Sequence, residues 1–167
     1  MNTRYDKRQT PLHVASQLGQ LEVMRSLIDH GAKPNSKNAI KETPLFMAAR
    51  NGNIGVTRLL LKHGADVNHP DLEKRTPLHE SSENGHVGVV KLLLAGNARV
   101  DDEKADGETA LHLAASYGHV EVVRLLISHH ADLRIRNNMG EAALDLAREK
   151  GHESVVQLLL RTAVGGD

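Results

Sequence analysis

The chain has 167 residues, and its 21 Lys and Arg balance its 21 Asp and Glu, so the formal net charge is zero. This length and a hydrophobic content of 40% predict one soluble domain, and no apolar run is long enough to span a bilayer. The absence of cysteine excludes disulfides, thiolate zinc sites and cysteine nucleophiles. Because no signal-peptide pattern opens the chain, we expect an intracellular protein, in the cytoplasm or the nucleus. The balanced charge argues against a nucleic-acid-binding surface.

A 33-residue repeat organises the chain. The motif Thr-Pro-Leu begins at Thr10, Thr43 and Thr76, and it returns in changed form at Thr109 and Ala142. A glycine follows nine residues after each of these positions, without insertion or deletion. We therefore expect a repeat domain over residues 5–162 and a flexible tail over 163–167. The five repeats are numbered 1 to 5 and occupy residues 5–37, 38–70, 71–103, 104–136 and 137–162.

Each repeat predicts two short helices and a loop. The Thr is a favourable helix N-cap and the following Pro suits the first helical position, so a helix of about eight residues is expected up to the glycine. The apolar pattern after the glycine, as in 21–28, predicts a second helix antiparallel to the first. It ends at Gly31, Gly64, Asn97 or His130, where a left-handed cap is expected. The remaining residues of each repeat, such as 65–75, predict an extended hairpin loop.

Helices of this length are marginal in isolation, so the apolar faces must be buried by neighbouring repeats. Thr-Pro-Leu-His, the segment Gly-His-Val-Glu-Val-Val-Arg-Leu-Leu-Ile at 118–127 and Gly-Ala-Asp-Val-Asn at 64–68 resemble ankyrin repeats. The resemblance implies an all-α ankyrin-repeat solenoid of five helix-turn-helix units joined by β-hairpin-like finger loops. It also implies that the His of the motif bonds the neighbouring loop or its own Thr.

Some repeats depart from the family pattern. Arg8, Lys41 and Lys74 stand where the family usually has glycine at the finger tip, and each costs about 1 kcal/mol if its φ is positive. Repeat 3 has Ser81-Ser82 in place of paired alanines, which predicts a weak point in the stack. The last repeat is similar to a C-terminal capping repeat with a wet outer face.

The 11 histidines do not predict a metal or catalytic site. Residues that recur every 33 positions are spread along the stack, whereas zinc needs three or four converging ligands. No P-loop, nucleophile elbow or dinucleotide fingerprint is present. We therefore expect no enzymatic activity, no cofactor and no metal.

The candidate binding residues are those that vary between repeats at exposed concave positions, because the constant residues are used for folding. Large apolar, aromatic, Arg and acidic side chains are the strongest candidates. They are Leu18, Ile40, Arg50, Leu72, Arg75, Asp106, Glu108, Tyr117 and Met139. The expected face has arginines in the middle and an acidic end in repeats 4 and 5.

The sequence therefore predicts a monomeric, non-enzymatic module that binds a partner protein or an extended peptide along its concave face. One alternative is a small anionic or oligonucleotide ligand in the same groove, which would need clustered basic residues and aromatics. Another is a substrate-recruiting part of a larger enzyme complex.

Overall fold

The computed structural model describes residues 8–164, which contain ten α-helices and no β-strand. The first helix of each repeat has seven residues: α1 Pro11–Gln17, α3 Pro44–Arg50, α5 Pro77–Glu83, α7 Ala110–Ser116 and α9 Ala143–Glu149. The second helices are α2 Leu21–Asp29, α4 Ile54–Lys62, α6 Val87–Ala95, α8 Val120–Ser128 and α10 Glu153–Val164. The expected all-α stack of five repeats is confirmed.

Contacts run almost only between neighbouring repeats, and they join the buried side chains into one continuous core. Leu45, Leu78 and Leu111 of the first helices are at most 2% exposed, and so are Leu60 and Leu93 of the second helices. The first helices of adjacent repeats share more close contacts than the second helices do. The stack therefore curves toward the first helices, and we call the side formed by them and the finger loops the concave face.

A histidine bridge links the start of a first helix to the next finger loop. In repeat 1 the Nδ1 atom of His13 accepts the backbone N–H of Thr10 at 3.1 Å, and its Nε2–H donates to the Glu42 carbonyl at 3.0 Å. His79 and His112 make the same pair of bonds with their own Thr and with the carbonyls of Glu108 and Glu141. A backbone N–H on one ring nitrogen and a carbonyl on the other fix the neutral tautomer. The expected role of these histidines is confirmed.

A second group of histidines bonds in the opposite direction along the stack. The Nε2 atoms of His86, His119 and His152 each lie 2.8–3.0 Å from a carbonyl oxygen at the end of the first helix of the preceding repeat. The glycine between the helices makes this contact possible. At Gly85, where φ is 70°, an added Cβ would lie 2.6 Å from Nδ1 of His119. The glycine thus provides both a left-handed turn and space for the neighbouring ring.

The finger loops are turns rather than strands in the described residues. Each of the fingers of repeats 2 to 5 is closed by a backbone hydrogen bond between residues four apart, as from Asn38 N–H to the Glu42 carbonyl at 3.0 Å. Among these four fingers, one backbone bond joins each to the next, as from Ala105 N–H to the Glu73 carbonyl at 2.9 Å. The fingers are therefore ordered by each other as well as by the histidine bridges.

The residues that stand in place of glycine have left-handed backbone conformations. Arg8, Lys41 and Lys74 have φ of 44°, 62° and 60°, while Asn97 and His130 end their helices at 64° and 65°. The end of the array differs from the prediction, because α10 continues through Val164 and so includes two residues assigned to the tail. Residues 5–7 of the predicted repeat 1 and 165–167 of the tail lie outside the described residues.

The predicted weak point in repeat 3 has a physical basis in one hydroxyl. Ser81 and Ser82 are both 0% exposed. The Ser81 hydroxyl donates to the Leu78 carbonyl at 3.2 Å, whereas the Ser82 hydroxyl has no hydrogen-bond partner. A buried unsatisfied polar group costs about 1–3 kcal/mol.

No helix within residues 8–164 has the length and hydropathy that crossing a bilayer requires.

Because the buried Ser82 hydroxyl has no hydrogen-bond partner, hydrogen exchange should be faster in α5 of repeat 3 than in α7 of repeat 4. Replacing Ser82→Ala, the residue found at Ala49 and Ala115, should raise the free energy of unfolding by about 1 kcal/mol. Ser81→Ala is the matched control, because it removes a bonded hydroxyl and should not stabilise the protein. Equal protection of α5 and α7 would contradict this account.

Acid should destabilise the protein through the bridging histidines. Burial lowers the pKa of His79 from 6.5 to about 4. The unfolded chain therefore binds a proton at that residue before the folded chain does, and stability falls as the pH drops from 6.5 toward 4. The full loss is about 3 kcal/mol for His79. Urea unfolding measured across this range should show a shallower pH dependence in His79→Gln than in the wild type, and identical slopes would refute the assignment.

Candidate interaction surface

The structure places four of the nine candidate residues openly on the concave face. Leu18 and Tyr117 follow the first helices of their repeats and are 62% and 54% exposed. Leu72 and Met139 lie on fingers and are 58% and 82% exposed. Ile40, on the finger of repeat 2, is partly buried, and its carbonyl accepts the N–H of Leu72. The concave face therefore exposes isolated large apolar side chains in repeats 1, 3, 4 and 5.

The two candidate arginines are held by carboxylates of the protein itself. Arg50 Nη2 lies 2.7 Å from Glu42 and its Nε 2.7 Å from Glu80. Arg75 Nε lies 2.6 Å from the other oxygen of Glu80, and its Nη2 pairs with Glu83. We call Glu42, Arg50, Arg75, Glu80 and Glu83 the central ion network. It joins repeats 2 and 3, so both arginines that the sequence predicts to contact a partner are paired with carboxylates of the chain itself.

Glu80 is the central residue of this network, because it pairs with both arginines. Its side chain is almost fully buried, at a position where the other repeats have Val14, Met47, Leu113 and Leu146. A buried carboxylate is costly unless it is paired, and here both oxygens face a guanidinium. Burial would lower the pKa of Arg50, but its bonds to Glu80 and Glu42 outweigh this and raise the pKa.

The sequence did not identify Glu42, Glu80 and Glu83 as the ion-pair partners of the two arginines. The signal that could have found them is a charged residue at Glu80, where the repeat pattern is apolar. A buried charge at such a position requires partners of opposite sign. Arg50 and Arg75, the nearest variable arginines along the stack, would have been the first residues to consider as partners of Glu80.

Tyr117 is fixed from two sides. Its ring stacks on His119 with centroids 6.3 Å apart and an interplanar angle of 9°. The carboxylate of Glu83, to which the Tyr117 hydroxyl donates, raises the pKa of Tyr117. His119 is itself held by the Glu83 carbonyl at 2.8 Å. An exposed aromatic ring held in this way loses little side-chain entropy when a partner contacts it.

The acidic end of the concave face is partly neutralised within the protein. Lys104 pairs with Asp106 and lies 2.9 Å from Glu108, and Lys150 lies 2.8 Å from Glu149. Burial would raise the pKa of Asp106, but its bond with Lys104 and backbone N–H bonds lower it. Asp106, Glu108, Glu141 and Glu149 thus outnumber the two lysines by two charges. The acidic end therefore has less net negative charge than its four carboxylates alone would give.

The described residues contain no cluster of three or more His, Asp or Glu side chains that could hold a metal ion. Two cavities with largely apolar linings lie at the ends of the stack rather than on the concave face. One of about 260 Å³ is lined by residues of repeat 1, including Leu12, Leu27 and Ala32. The other, of about 320 Å³, is lined by residues at the end of the array, including Leu144 and Leu159.

The central ion network should be tested by a double-mutant cycle between Glu80 and Arg75. Glu80→Leu alone should lower the free energy of unfolding by about 3 kcal/mol, because it leaves two partly buried guanidinium groups without their central partner. Glu80→Leu with Arg75→Gln should lose less than the sum of the two single changes, by about 1 kcal/mol or more. Because the pair is largely buried, high salt should change this coupling little. Additive losses in urea unfolding would contradict the network.

The fold and its motifs agree with a comparison against known families. The model for ankyrin repeats, which spans three copies, matches residues 12–104 and 96–166. No curated protein that was compared with the chain matches it. Ankyrin repeats are generally protein–protein interaction modules. The two matched segments span nearly the whole chain, and the chain therefore belongs to the ankyrin-repeat family.

Proposed function

We propose that this protein is a non-enzymatic binding module whose concave face takes an extended segment of a partner protein. The observation that supports this most strongly is the exposure of Leu18, Leu72, Tyr117 and Met139 on one side of the stack. Single exposed apolar residues are common on protein surfaces. Four that lie on one face of the stack, in repeats 1, 3, 4 and 5, support a surface that an extended chain could contact.

Tyr117 is the anchor of the proposed site. It is an aromatic residue, a type that contributes strongly to interfaces, and His119 and Glu83 hold it in place. The equivalent residues of the other repeats are Leu18, Asn51, Asn84 and Lys150. We expect the partner to place its most buried contact between repeats 3 and 5, where Leu72 and Met139 lie on the flanking fingers.

The charges of this face indicate the direction of the partner segment. Repeats 4 and 5 have two more carboxylates than lysines among Lys104, Asp106, Glu108, Glu141, Glu149 and Lys150. Electrostatic complementarity favours a basic end of the partner over this region. The internal pairs of Lys104 and Lys150 limit the attraction, so it should affect the association rate more than the affinity.

The alternative of an anionic or oligonucleotide ligand has less support. Such a ligand needs free cationic groups and stacking aromatics. Arg50 and Arg75, at the centre of the face, are paired with carboxylates. The wider alternative, that the module recruits a substrate for an enzyme, requires the same concave contact and differs only in the partner.

The first test is affinity capture from a cell lysate followed by mass spectrometry and titration of the recovered protein. A variant with Leu72→Ser, Tyr117→Ser and Met139→Ser should lose the partner while its circular dichroism spectrum stays unchanged. The matched control is Ile54→Ser, which replaces a 47% exposed residue on a second helix. A partner that the triple variant retains and the control loses would overturn the concave-face proposal.

The orientation is tested separately by reversing charges. Asp106→Lys with Glu108→Lys should slow association at low salt by about tenfold or more, and the difference should shrink as salt is added. Glu121→Lys with Glu153→Lys makes the same change of charge on the second helices and should have a small effect. Unchanged association at low salt would refute the proposed direction of the partner.

A further inference from the structure

A row of cations runs along the outer side of the stack, which is formed by the second helices. Arg25, Arg58, Lys91 and Arg124 occupy the same position of repeats 1 to 4, and all four are exposed. They lie on α2, α4, α6 and α8, which contact one another in this order. Packed helices lie about 8–10 Å apart, so neighbouring cations of the row are separated by about that distance.

The cations at the two ends of this row are paired within their own helices. Arg25 Nε lies 3.7 Å from Glu22, and Arg124 Nε lies 3.7 Å from Glu121. In each pair the glutamate precedes the arginine by three residues, so the two side chains share one face of the helix. The pairs are exposed and therefore weak, but each sets a negative charge beside the cation.

Repeats 2 and 3 lack this acidic partner. Gly55 and Gly88 stand at the positions that a glutamate occupies in repeats 1 and 4. No Asp or Glu is present anywhere in α4 or α6. The cations of these two helices are therefore the unpaired members of a row whose other members are paired.

Three exposed cations lie together on α4 and α6, and we call Arg58, Lys62 and Lys91 the outer basic patch. Lys62 follows Arg58 by one helical turn, at about 6 Å along α4. In the part of the chain that the structure describes, no carboxylate forms an ion pair with any of the three. Their charges are thus free to attract a partner, unlike those of Arg50 and Arg75 on the concave face.

Packing within the stack does not require glycine at position 55. A Cβ added to Gly55 would lie 3.5 Å from Leu21, which is an ordinary contact. At Gly88 the added Cβ would lie 2.5 Å from Cδ1 of Ile54, the end of a flexible side chain. Glycine disfavours a helix, whereas glutamate in the first turn favours it. A local choice that weakens the helix and leaves Arg58 unpaired indicates a role outside folding.

We propose that the outer basic patch binds an acidic segment of a partner protein. Alternate residues on one side of an extended chain are about 6.6 Å apart, so carboxylates of a short segment can reach all three cations. Charge complementarity of this kind raises the association rate and selects acidic partners over basic ones. The site is independent of the concave-face proposal, because it lies on other helices and attracts the opposite charge.

A nucleic acid fits the patch less well than an acidic peptide. Single strands are held by a cationic groove together with stacking aromatics, and neither α4 nor α6 contains an aromatic residue. The zero formal net charge of the chain also lacks the excess of Lys and Arg that phosphate backbones attract.

The proposal is tested by fluorescence anisotropy with a labelled oligo-glutamate peptide as the probe. Arg58→Gln with Lys91→Gln should weaken binding about tenfold or more at low salt, and the difference should shrink as salt is added. Lys41→Gln with Lys74→Gln is the matched control, because it removes two exposed lysines from the finger tips and should have little effect. Absence of binding to the wild type, or equal weakening by both double variants, would overturn the proposal.

A second pair of variants separates charge from folding. Gly55→Glu should recreate the ion pair of repeats 1 and 4 with Arg58, so it should raise the urea midpoint and weaken binding of the peptide severalfold. Gly55→Gln should raise the midpoint without weakening the binding. Wild-type binding by Gly55→Glu, or equal weakening by Gly55→Gln, would contradict the proposal.

The class of partner is tested in the same assay with labelled oligothymidylate. The wild type should bind this probe more weakly than oligo-glutamate of equal charge. Tighter binding of oligothymidylate that Arg58→Gln with Lys91→Gln abolishes would overturn the assignment of an acidic protein segment in favour of a nucleic acid.

Discussion

The structure depends on the burial of each helix pair by its neighbours. Helices of seven and nine residues are too short to be stable alone, because nucleation costs more than so few hydrogen bonds return. Each pair gains stability only when the next pair covers its apolar side, as the nearly complete burial of Leu45, Leu60 and Leu93 shows. Stability in such an array is a sum of neighbouring contacts, so a defect such as the Ser82 hydroxyl has a local effect.

This constraint divides the residues of a repeat into two groups. The motif His, the inter-helix glycine and the regularly spaced Leu and Val residues are occupied with stacking, through contacts such as the His79 bridge. The residues not used in stacking lie on the concave face and on the outer side formed by the second helices. On the concave face, Tyr117 and Leu72 carry no core contact.

The repeat, the helix ends and the histidine bridges could be predicted because each follows from local spacing. Asn97 and His130 stand one repeat apart at a helix end, and both adopt the expected left-handed conformation. The roles of Arg50 and Arg75 could not be predicted in the same way. Whether an arginine meets a partner or an internal carboxylate depends on side chains from two repeats that converge on Glu80. The net charge of the acidic end could not be predicted either, because it depends on the ion pair of Lys104 with Glu108 of the same finger.

The most direct measurement of this account compares unfolding free energies in urea for stacking and exposed residues. Leu93→Ala removes a side chain that is 0% exposed and should cost about 2–5 kcal/mol. The combined change Leu18→Ser, Leu72→Ser and Met139→Ser alters three side chains on the concave face and should cost less than about 1 kcal/mol. If the triple variant lost as much stability as Leu93→Ala, the exposed residues would be part of the fold, and the separation of stacking from binding would be wrong.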